Sequence, residues 1–302
     1  MKRFNAFGLI FIGVFFTINI FAQKDISVED IWQNYIFYPK SVPGFNFLND
    51  GEHYTKLENG VVKKYNFKSG AFVEDLFTAD AINNRFFNKE MDDYSFSTDE
   101  GKMLVKNGTE SIYRHSNIAN YYSYDRSSGK FIPLRENEKV RNATYNHNAD
   151  KVAYSFENNL YIKDLESGKA TQVTEDGEEN SIINGTPDWV YEEEFGFDQA
   201  FEWSPDGKYI GFIRFDESEV PQFTMTKFND DAYPEYVTWK YPKVGEKNAV
   251  VSAHVYELAT GKTMKVDLGN DEHYIPRIKY TKIPCFCPFN SWDIMFVISY
   301  IY

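Results

Sequence analysis

The fold is decided by the stretch KVAYSFENNLYIKDLESGKATQV, residues 151–173. Its segments 152–156, 160–163 and 170–173 are rich in residues that favour strands, and Asn158-Asn159 and Ser167-Gly168 between them are turn formers. This pattern predicts three antiparallel strands joined by two tight turns, which is most of one four-stranded blade. Blades of this kind form a β-propeller, but strands this short are also typical of a β-sandwich. A repeat along the chain distinguishes the two architectures.

The first repeated phrase is an aromatic residue, a few polar residues, Asp-Gly or a relative of it, and then a short apolar strand. Its four copies are Phe47-Leu48-Asn49-Asp50-Gly51, Phe96-Ser97-Thr98-Asp99-Glu100-Gly101, Tyr145-Asn146-His147-Asn148-Ala149-Asp150 and Trp203-Ser204-Pro205-Asp206-Gly207. Their aromatic residues lie 49, 49 and 58 positions apart, and a blade of about 40–50 residues favours a propeller over a sandwich. We expect each copy to form a hairpin in which the aromatic side chain fills the core and Asp-Gly supplies a turn residue with positive φ.

A second phrase, which ends in glycine, follows within each unit. It spans Tyr65 to Gly70, Tyr124 to Gly129, Lys163 to Gly168 and Tyr256 to Gly261. Together the two phrases predict an all-β chain, a partial β-propeller of four-stranded antiparallel blades. Two segments interrupt the pattern: the sequence from Ser27 predicts a short capped helix, and residues 188–195 form an insertion in the longest repeat interval.

Composition and charge exclude several classes of protein. With 18% aromatic and 42% hydrophobic residues, the chain has enough apolar side chains to fill a core. This composition excludes a disordered chain, a collagen and a coiled coil. The chain has 32 basic and 45 acidic residues, with a net charge of −13. Nucleic acid binding requires a basic face, so we expect no nucleic acid partner.

The histidines and cysteines do not group as metal ligands do. The histidines are His53, His115, His147, His254 and His273, and the cysteines are Cys285 and Cys287. No His-x-His or His-Glu-x-x-His pattern is present, and a lone C-x-C pair lacks the second pair of ligands that zinc needs. We expect neither a metal nor a cofactor.

The first 22 residues have the pattern of a secretory signal peptide. Lys2 and Arg3 precede an apolar run from Phe7 to Phe21, and the small residue Ala22 follows. The alternative is an uncleaved anchor, but this run is shorter than the roughly 20 apolar residues of a spanning helix. We therefore expect cleavage near Ala22, a periplasmic or extracellular location, and no stable membrane span.

Several strings resemble, in order and spacing, the N-terminal β-propeller of the dipeptidyl peptidase IV family, within the prolyl oligopeptidase superfamily of serine peptidases. They are Asp188-Trp189-Val190-Tyr191-Glu192-Glu193-Glu194, Trp203-Ser204-Pro205-Asp206-Gly207, Glu219-Val220-Pro221, Tyr241-Pro242-Lys243-Val244-Gly245 and Tyr274-Ile275-Pro276-Arg277. The resemblance covers about Asp25 to Tyr280. It implies an exported serine exopeptidase that releases N-terminal dipeptides with Pro or Ala second.

The resemblance also implies site residues. Glu193 and Glu194 match the pair that holds the ammonium group of the substrate's N-terminus, and Arg114, within Tyr113-Arg114-His115-Ser116, matches the arginine beside them. Two carboxylates can accept the three donors of an ammonium group while blocking a longer chain. Without the resemblance, three consecutive acids are more often a solvated helix end. We expect Asp188 and Tyr191 to order the insertion.

The resemblance assigns two further segments. Phe223 to Val250 resembles an arm that contributes to the family's dimer interface, and its Tyr233, Tyr236, Trp239 and Tyr241 predict an exposed aromatic surface. An ordinary long hairpin is the alternative. Residues 23–40 resemble a segment that packs on the hydrolase domain in the family.

The chain departs from the family in its chemistry. None of its 18 glycines begins a G-x-S-x-G sequence, so no Ser, Asp or His can be assigned to a triad and no catalytic residue is named. We expect residues 41–283 to form about four to five of the family's eight blades. Residues 284–302 form an apolar tail of different character, in which Asp293 is the one charged residue. This suggests a frameshift or early stop before the α/β-hydrolase domain.

Two functions follow from these observations. The first is the substrate-gating propeller of a dipeptidyl peptidase IV-like enzyme, inactive alone. The alternative is a non-catalytic β-propeller that binds peptides or serves as an interaction scaffold. In either case a partial ring leaves an unpaired face, which predicts poor expression or aggregation.

Overall fold

The computed structural model describes residues 25–39, 44–269, 274–281 and 293–299. The predicted signal peptide, residues 1–22, and both cysteines lie outside these ranges. The chain divides into two compact units at Gly44. The first contains helix α1, Val28–Trp32, whose N-cap Ser27 accepts a hydrogen bond from the Asp30 amide, so the predicted capped helix is confirmed. Among the described residues, no helix is long and apolar enough to cross a membrane.

The second unit begins with three four-stranded antiparallel sheets, each made of consecutive strands. The first contains β1 Asn46–Phe47, β2 His53–Glu58, β3 Val61–Asn66 and β4 Phe72–Thr78. The second contains β5 Asp93–Phe96, β6 Lys102–Ser111, β7 Asn117–Asp125 and β8 Phe131–Pro133. The third contains β9 Arg141–Tyr145, β10 Lys151–Phe156, β11 Asn159–Asp164 and β12 Ala170–Gln172. This is the predicted succession of blades, and β10 to β12 are the three strands expected within residues 151–173.

The fourth sheet is interrupted along the chain by a helix and by a separate hairpin. Its strands are β13 Ile182–Asn184, β14 Phe201–Trp203, β15 Tyr209–Asp216, β18 Val250–Glu257 and β19 Lys262–Lys265. Strands β13 and β14 pair with opposite halves of β15. Helix α2, Trp189–Phe195, lies between them in sequence, so it is an excursion from one edge of this sheet.

Two pairs of strands and a 3₁₀ turn complete the described part of the chain. Strands β16, Gln222–Lys227, and β17, Glu235–Lys240, form a separate hairpin between β15 and β18. Strands β20, Tyr274–Thr281, and β21, Asp293–Ser299, pair with each other. A single 3₁₀ turn covers Ala79–Ala81.

Separate apolar clusters join neighbouring sheets. On β6, Met103 and Val105 face the first sheet while Leu104 faces the third, because successive side chains on a strand point to opposite faces. On β10, Val152 likewise packs toward the second sheet and Ala153 toward the fourth. Sheets stacked face to face in sequence order are the arrangement of propeller blades, so the predicted partial β-propeller is confirmed.

The glycine-ending phrase forms the predicted turns. Gly70, Gly129, Gly168 and Gly261 have φ of 70°, 70°, 71° and 68°. Each donates its amide to the carbonyl four residues earlier, at 2.8 to 2.9 Å. Left-handed backbone strains residues with a Cβ, which explains why this position is glycine in all four copies.

The Asp-Gly phrase differs from the prediction in two respects. The left-handed residue is the fourth after the aromatic, which is Gly51 or Gly207 in two copies but Glu100 and Ala149 in the others. Phe47 is 62% exposed, so in the first copy the aromatic side chain does not fill the core. Its neighbour Leu48 is buried instead.

Candidate functional site

Helix α2 is fixed at both ends. The Asp188 carboxylate accepts the Tyr191 amide at 2.9 Å, and Gly196 ends the helix in the left-handed conformation. Tyr191 is fully buried, its ring lies 4.9 Å from that of Phe215, and its hydroxyl accepts the Ile275 amide at 3.3 Å. Asp188 and Tyr191 therefore hold the insertion in place, as the sequence predicts.

The three consecutive glutamates of α2 have three different environments. Glu192 is 0% exposed, the Glu193 side chain is 15% exposed, and Glu194 is exposed to solvent. Successive residues of a helix point about 100° apart, so one of three adjacent acids can face the interior. Sequence reasoning selected Glu193 and Glu194 and missed the buried Glu192.

Arg114 lies in the hairpin between β6 and β7, within residues 112–116, here called the arginine loop. The loop is closed by a hydrogen bond from the Ile112 amide to the Ser116 carbonyl at 2.9 Å. The Nε of Arg114 lies 3.1 Å from Oε2 of Glu193. The structure thus brings two of the three predicted site residues into contact, while Glu194 lies next to them on the helix without an ion pair to a described residue.

A second contact joins the arginine loop to α2. The Oε1 atom of Glu192 accepts the amide of His115 at 2.8 Å and the amide of Ser116 at 2.7 Å. These donors are the two residues that directly follow Arg114. The loop and the helix are therefore tied together across 76 residues of sequence.

A buried guanidinium lies near Glu192. Burial lowers the pKa of Arg141, on β9, and the negative charges of Glu192 and Asp198 oppose that shift. Its Nε and Nη2 atoms are buried and make no hydrogen bond to a described residue, and the same holds for Oε2 of Glu192. The interior beside the arginine loop therefore contains opposite charges that compensate each other.

A cavity of about 340 Å³ adjoins the arginine loop. Tyr113, Asp188 and Glu217 are among its lining residues. Burial raises the pKa of Asp188 to about 6, and burial together with the charge of Asp188 raises the pKa of Glu217 to about 7. Burial, and next the charge of Glu217, raises the pKa of Tyr113 to about 12. Burial therefore disfavours the ionised form of each of these three groups.

The predicted arm corresponds to the hairpin of β16 and β17 with its flanking residues. Tyr233 and Tyr236 are 85% and 70% exposed, as the sequence predicts. Trp239 and Tyr241 are only partly exposed, because the Tyr241 ring packs 4.6 Å from Trp189 and the Trp239 Nε1 atom is buried. The exposed aromatic surface is therefore smaller than expected.

Comparison with known proteins gives consistent similarities. Residues 97–284 match the family described as the dipeptidyl peptidase IV N-terminal region. Prolyl endopeptidase FAP of Homo sapiens is 30% identical over 240 residues, which are 78% of this chain and 30% of that protein. A probable dipeptidyl-aminopeptidase B of Chaetomium globosum is 36% identical over 188 residues, which are 57% of this chain and 20% of that protein.

A solved structure aligns with most of the chain. The dipeptidyl peptidase 4 of Porphyromonas gingivalis has a TM-score of 0.78 and 39% identity, over 85% of this chain and 37% of that one. The chain thus spans about a third or less of the length of the curated relatives named above.

Proposed function

Because the chain belongs to the dipeptidyl peptidase IV N-terminal region family, we propose that it is the substrate-gating propeller portion of a dipeptidyl peptidase IV-like serine exopeptidase. In this role Glu193, Glu194 and Arg114 bind the N-terminal residue of peptides with Pro or Ala second. The enzyme class releases X-Pro and X-Ala dipeptides.

The contact between Arg114 and Glu193 supports this proposal most directly. The alternative explanation of three adjacent acids is a solvated helix end. That explanation does not account for a cation from a distant loop in contact with one of them. Here the guanidinium lies 3.1 Å from Glu193, whose side chain is only 15% exposed. An arginine at that point reduces the repulsion between neighbouring carboxylates and keeps both able to accept donors.

The exposed Glu194 completes the arrangement. An ammonium group has three donors, and carboxylates from adjacent helix residues can accept them in charge-assisted hydrogen bonds. Glu194 is open to solvent and makes no ion pair with a described residue, so it is available to a ligand. A clamp of this kind requires a free N-terminus, which is the property that makes an exopeptidase.

Calorimetry with the peptide Ala-Pro-Ala, free and N-acetylated, tests the proposal. Acetylation removes the ammonium charge, so we expect the free peptide to bind and the acetylated one not to bind. Glu193→Gln and Glu194→Gln should each weaken binding, whereas Glu166→Gln, at an exposed acid in a turn of the third sheet, should not. Equal affinity for both peptides would remove the glutamates from this role.

Catalysis and location follow from the same proposal. The 302 residues contain no G-x-S-x-G sequence, and we propose that this chain alone does not cleave a Gly-Pro-anilide; measurable cleavage would contradict this. We further propose export to the periplasm or extracellular space with removal of residues 1–22. Mass spectrometry of the exported chain should then find Gln23 at the N-terminus.

A further inference from the structure

We infer that Glu192 is a positioning residue, which holds the arginine loop against α2 so that Arg114 meets Glu193. The inference rests on the proposed function, because it concerns how the ammonium clamp is assembled. Glu192 has no exposed surface, so it acts on a peptide only through other residues.

The hydrogen bonds of Glu192 fix the backbone at one place. A single oxygen, Oε1, accepts two adjacent amides, those of His115 and Ser116, at 2.8 and 2.7 Å. Hydrogen bonds to a charged acceptor are stronger than those between neutral groups. Because these amides directly follow Arg114, they set the direction in which the Arg114 side chain leaves the loop.

Within the loop itself the remaining restraints are few. The Ile112 amide bonds to the Ser116 carbonyl, and the Tyr113 amide reaches the Ser116 hydroxyl at 3.3 Å. Both close the hairpin, but neither relates it to α2. The 3.1 Å contact of Arg114 with Glu193 involves a side chain that is 73% exposed, and exposed ion pairs are weak restraints. Among the described residues, Glu192 therefore supplies the buried hydrogen bonds that join the arginine loop to α2.

The charge of Glu192 is compensated inside the protein. Burial lowers the pKa of Arg141, and the negative charge of Glu192 opposes this shift. The two groups are therefore close enough to interact electrostatically. A buried charge is tolerated when it is hydrogen-bonded and balanced by an opposite one.

Amide hydrogen exchange tests the link without any ligand. The amides of His115 and Ser116 should exchange at least about tenfold faster in Glu192→Gln than in the wild type. The same result is expected in Glu192→Asp, whose side chain is one methylene shorter. Glu217→Gln is the matched control, since Glu217 is a buried carboxyl near Tyr113 that makes no hydrogen bond to the arginine loop. Unchanged protection of both amides in the Glu192 variants would overturn the inference.

A double-mutant cycle then tests the route through Arg114. Glu192→Gln should weaken binding of free Ala-Pro-Ala by about tenfold, but should add little to the loss caused by Arg114→Ala, because both changes remove the same interaction. Fully additive losses would show that Glu192 acts elsewhere. If the wild-type chain does not prefer the free peptide over the acetylated one, the proposed function fails, while the exchange rates still decide the role of Glu192.

Discussion

Arg114 and Glu193 form an ion pair whose two side chains are unequally exposed, 73% for the arginine and 15% for the glutamate. Ion pairs with an exposed partner contribute about 0–1 kcal/mol to folding. The pair is therefore better suited to arranging charge for a ligand than to stabilising the fold.

Arg114→Lys separates these two roles. Lysine keeps the charge but lacks the planar donor array that fixes a guanidinium against a carboxylate. We expect peptide affinity to fall several-fold while the free energy of unfolding changes by less than about 1 kcal/mol. Calorimetry and urea denaturation measure the two quantities. Unchanged affinity, or a much larger loss of stability, would contradict this view.

Glu217 makes stability depend on pH. Its pKa is raised in the folded protein to about 7 from a usual value of 4.5, because it is buried and close to Asp188. The folded state therefore binds more protons than the unfolded state between these values. Its contribution to the free energy of unfolding is fully present below about pH 4.5 and is lost as the pH rises through 7.

Glu217→Gln should flatten this dependence. The amide has no charge to desolvate, so the loss of stability between pH 5 and pH 8 should shrink by about 1–3 kcal/mol. Urea denaturation at the two pH values measures it, with Glu166→Gln as the exposed control. A variant whose stability falls as steeply as that of the wild type would exclude Glu217 as the cause.

At the scale of single elements, α2 depends on its two ends. A helix of seven residues is too short to be stable in isolation, so its caps and its packing hold it. Asp188 serves as N-cap, yet burial raises its pKa to about 6, which means that its charge is costly at neutral pH.

The effect of substituting Asp188 on stability should therefore depend on whether the new side chain can still cap the helix. Asp188→Asn keeps an acceptor oxygen for the Tyr191 amide and removes the buried charge, so stability at pH 8 should be equal or higher. Asp188→Ala removes the cap and should cost about 1 kcal/mol or more. Thermal and urea unfolding at pH 8 distinguish the two. Equal destabilisation by both variants would show that the charge, and not the cap, matters at this position.

We propose that two copies of the chain associate through the arm. Phe228, Tyr233 and Tyr236 are 83%, 85% and 70% exposed on this hairpin, and clustered exposed apolar side chains are typical of interaction surfaces. Tyr236→Ser combined with Phe228→Ser should shift a dimer toward monomer in sedimentation velocity. Phe72→Ser, at an exposed apolar residue on the first sheet, is the control. An equal effect of the control would exclude the arm.

The limits of sequence reasoning are visible in particular elements. The turns at Gly70 and Gly168 were predictable because only local backbone geometry decides them. The burial of Glu192 was not, since three adjacent acids look alike until a loop 76 residues earlier packs against one of them. The exposure of Phe47 was not predictable for a similar reason. Alternation along a strand shows that the strand has two faces, but not which face a neighbouring sheet covers.

At the scale of the whole molecule, charge is unevenly balanced. The chain has 45 acidic and 32 basic residues. A surface with this excess of negative charge attracts cations over a distance set by the ionic strength, about 30 Å at 0.01 M and 8 Å at 0.15 M. The free N-terminus that we propose as the ligand is such a cation.

The association rate of the peptide should therefore respond to salt more than its dissociation rate does. From about 0.01 M to 0.15 M salt, we expect association of free Ala-Pro-Ala-Lys to slow several-fold, because screening removes the long-range attraction while the contacts in the complex remain. Stopped-flow fluorescence with a labelled peptide measures both rates. Glu166→Lys, at an exposed acid in the turn between β11 and β12, should reduce the salt dependence slightly without changing dissociation. A salt effect confined to dissociation would mean that charge acts through direct contact and not by steering.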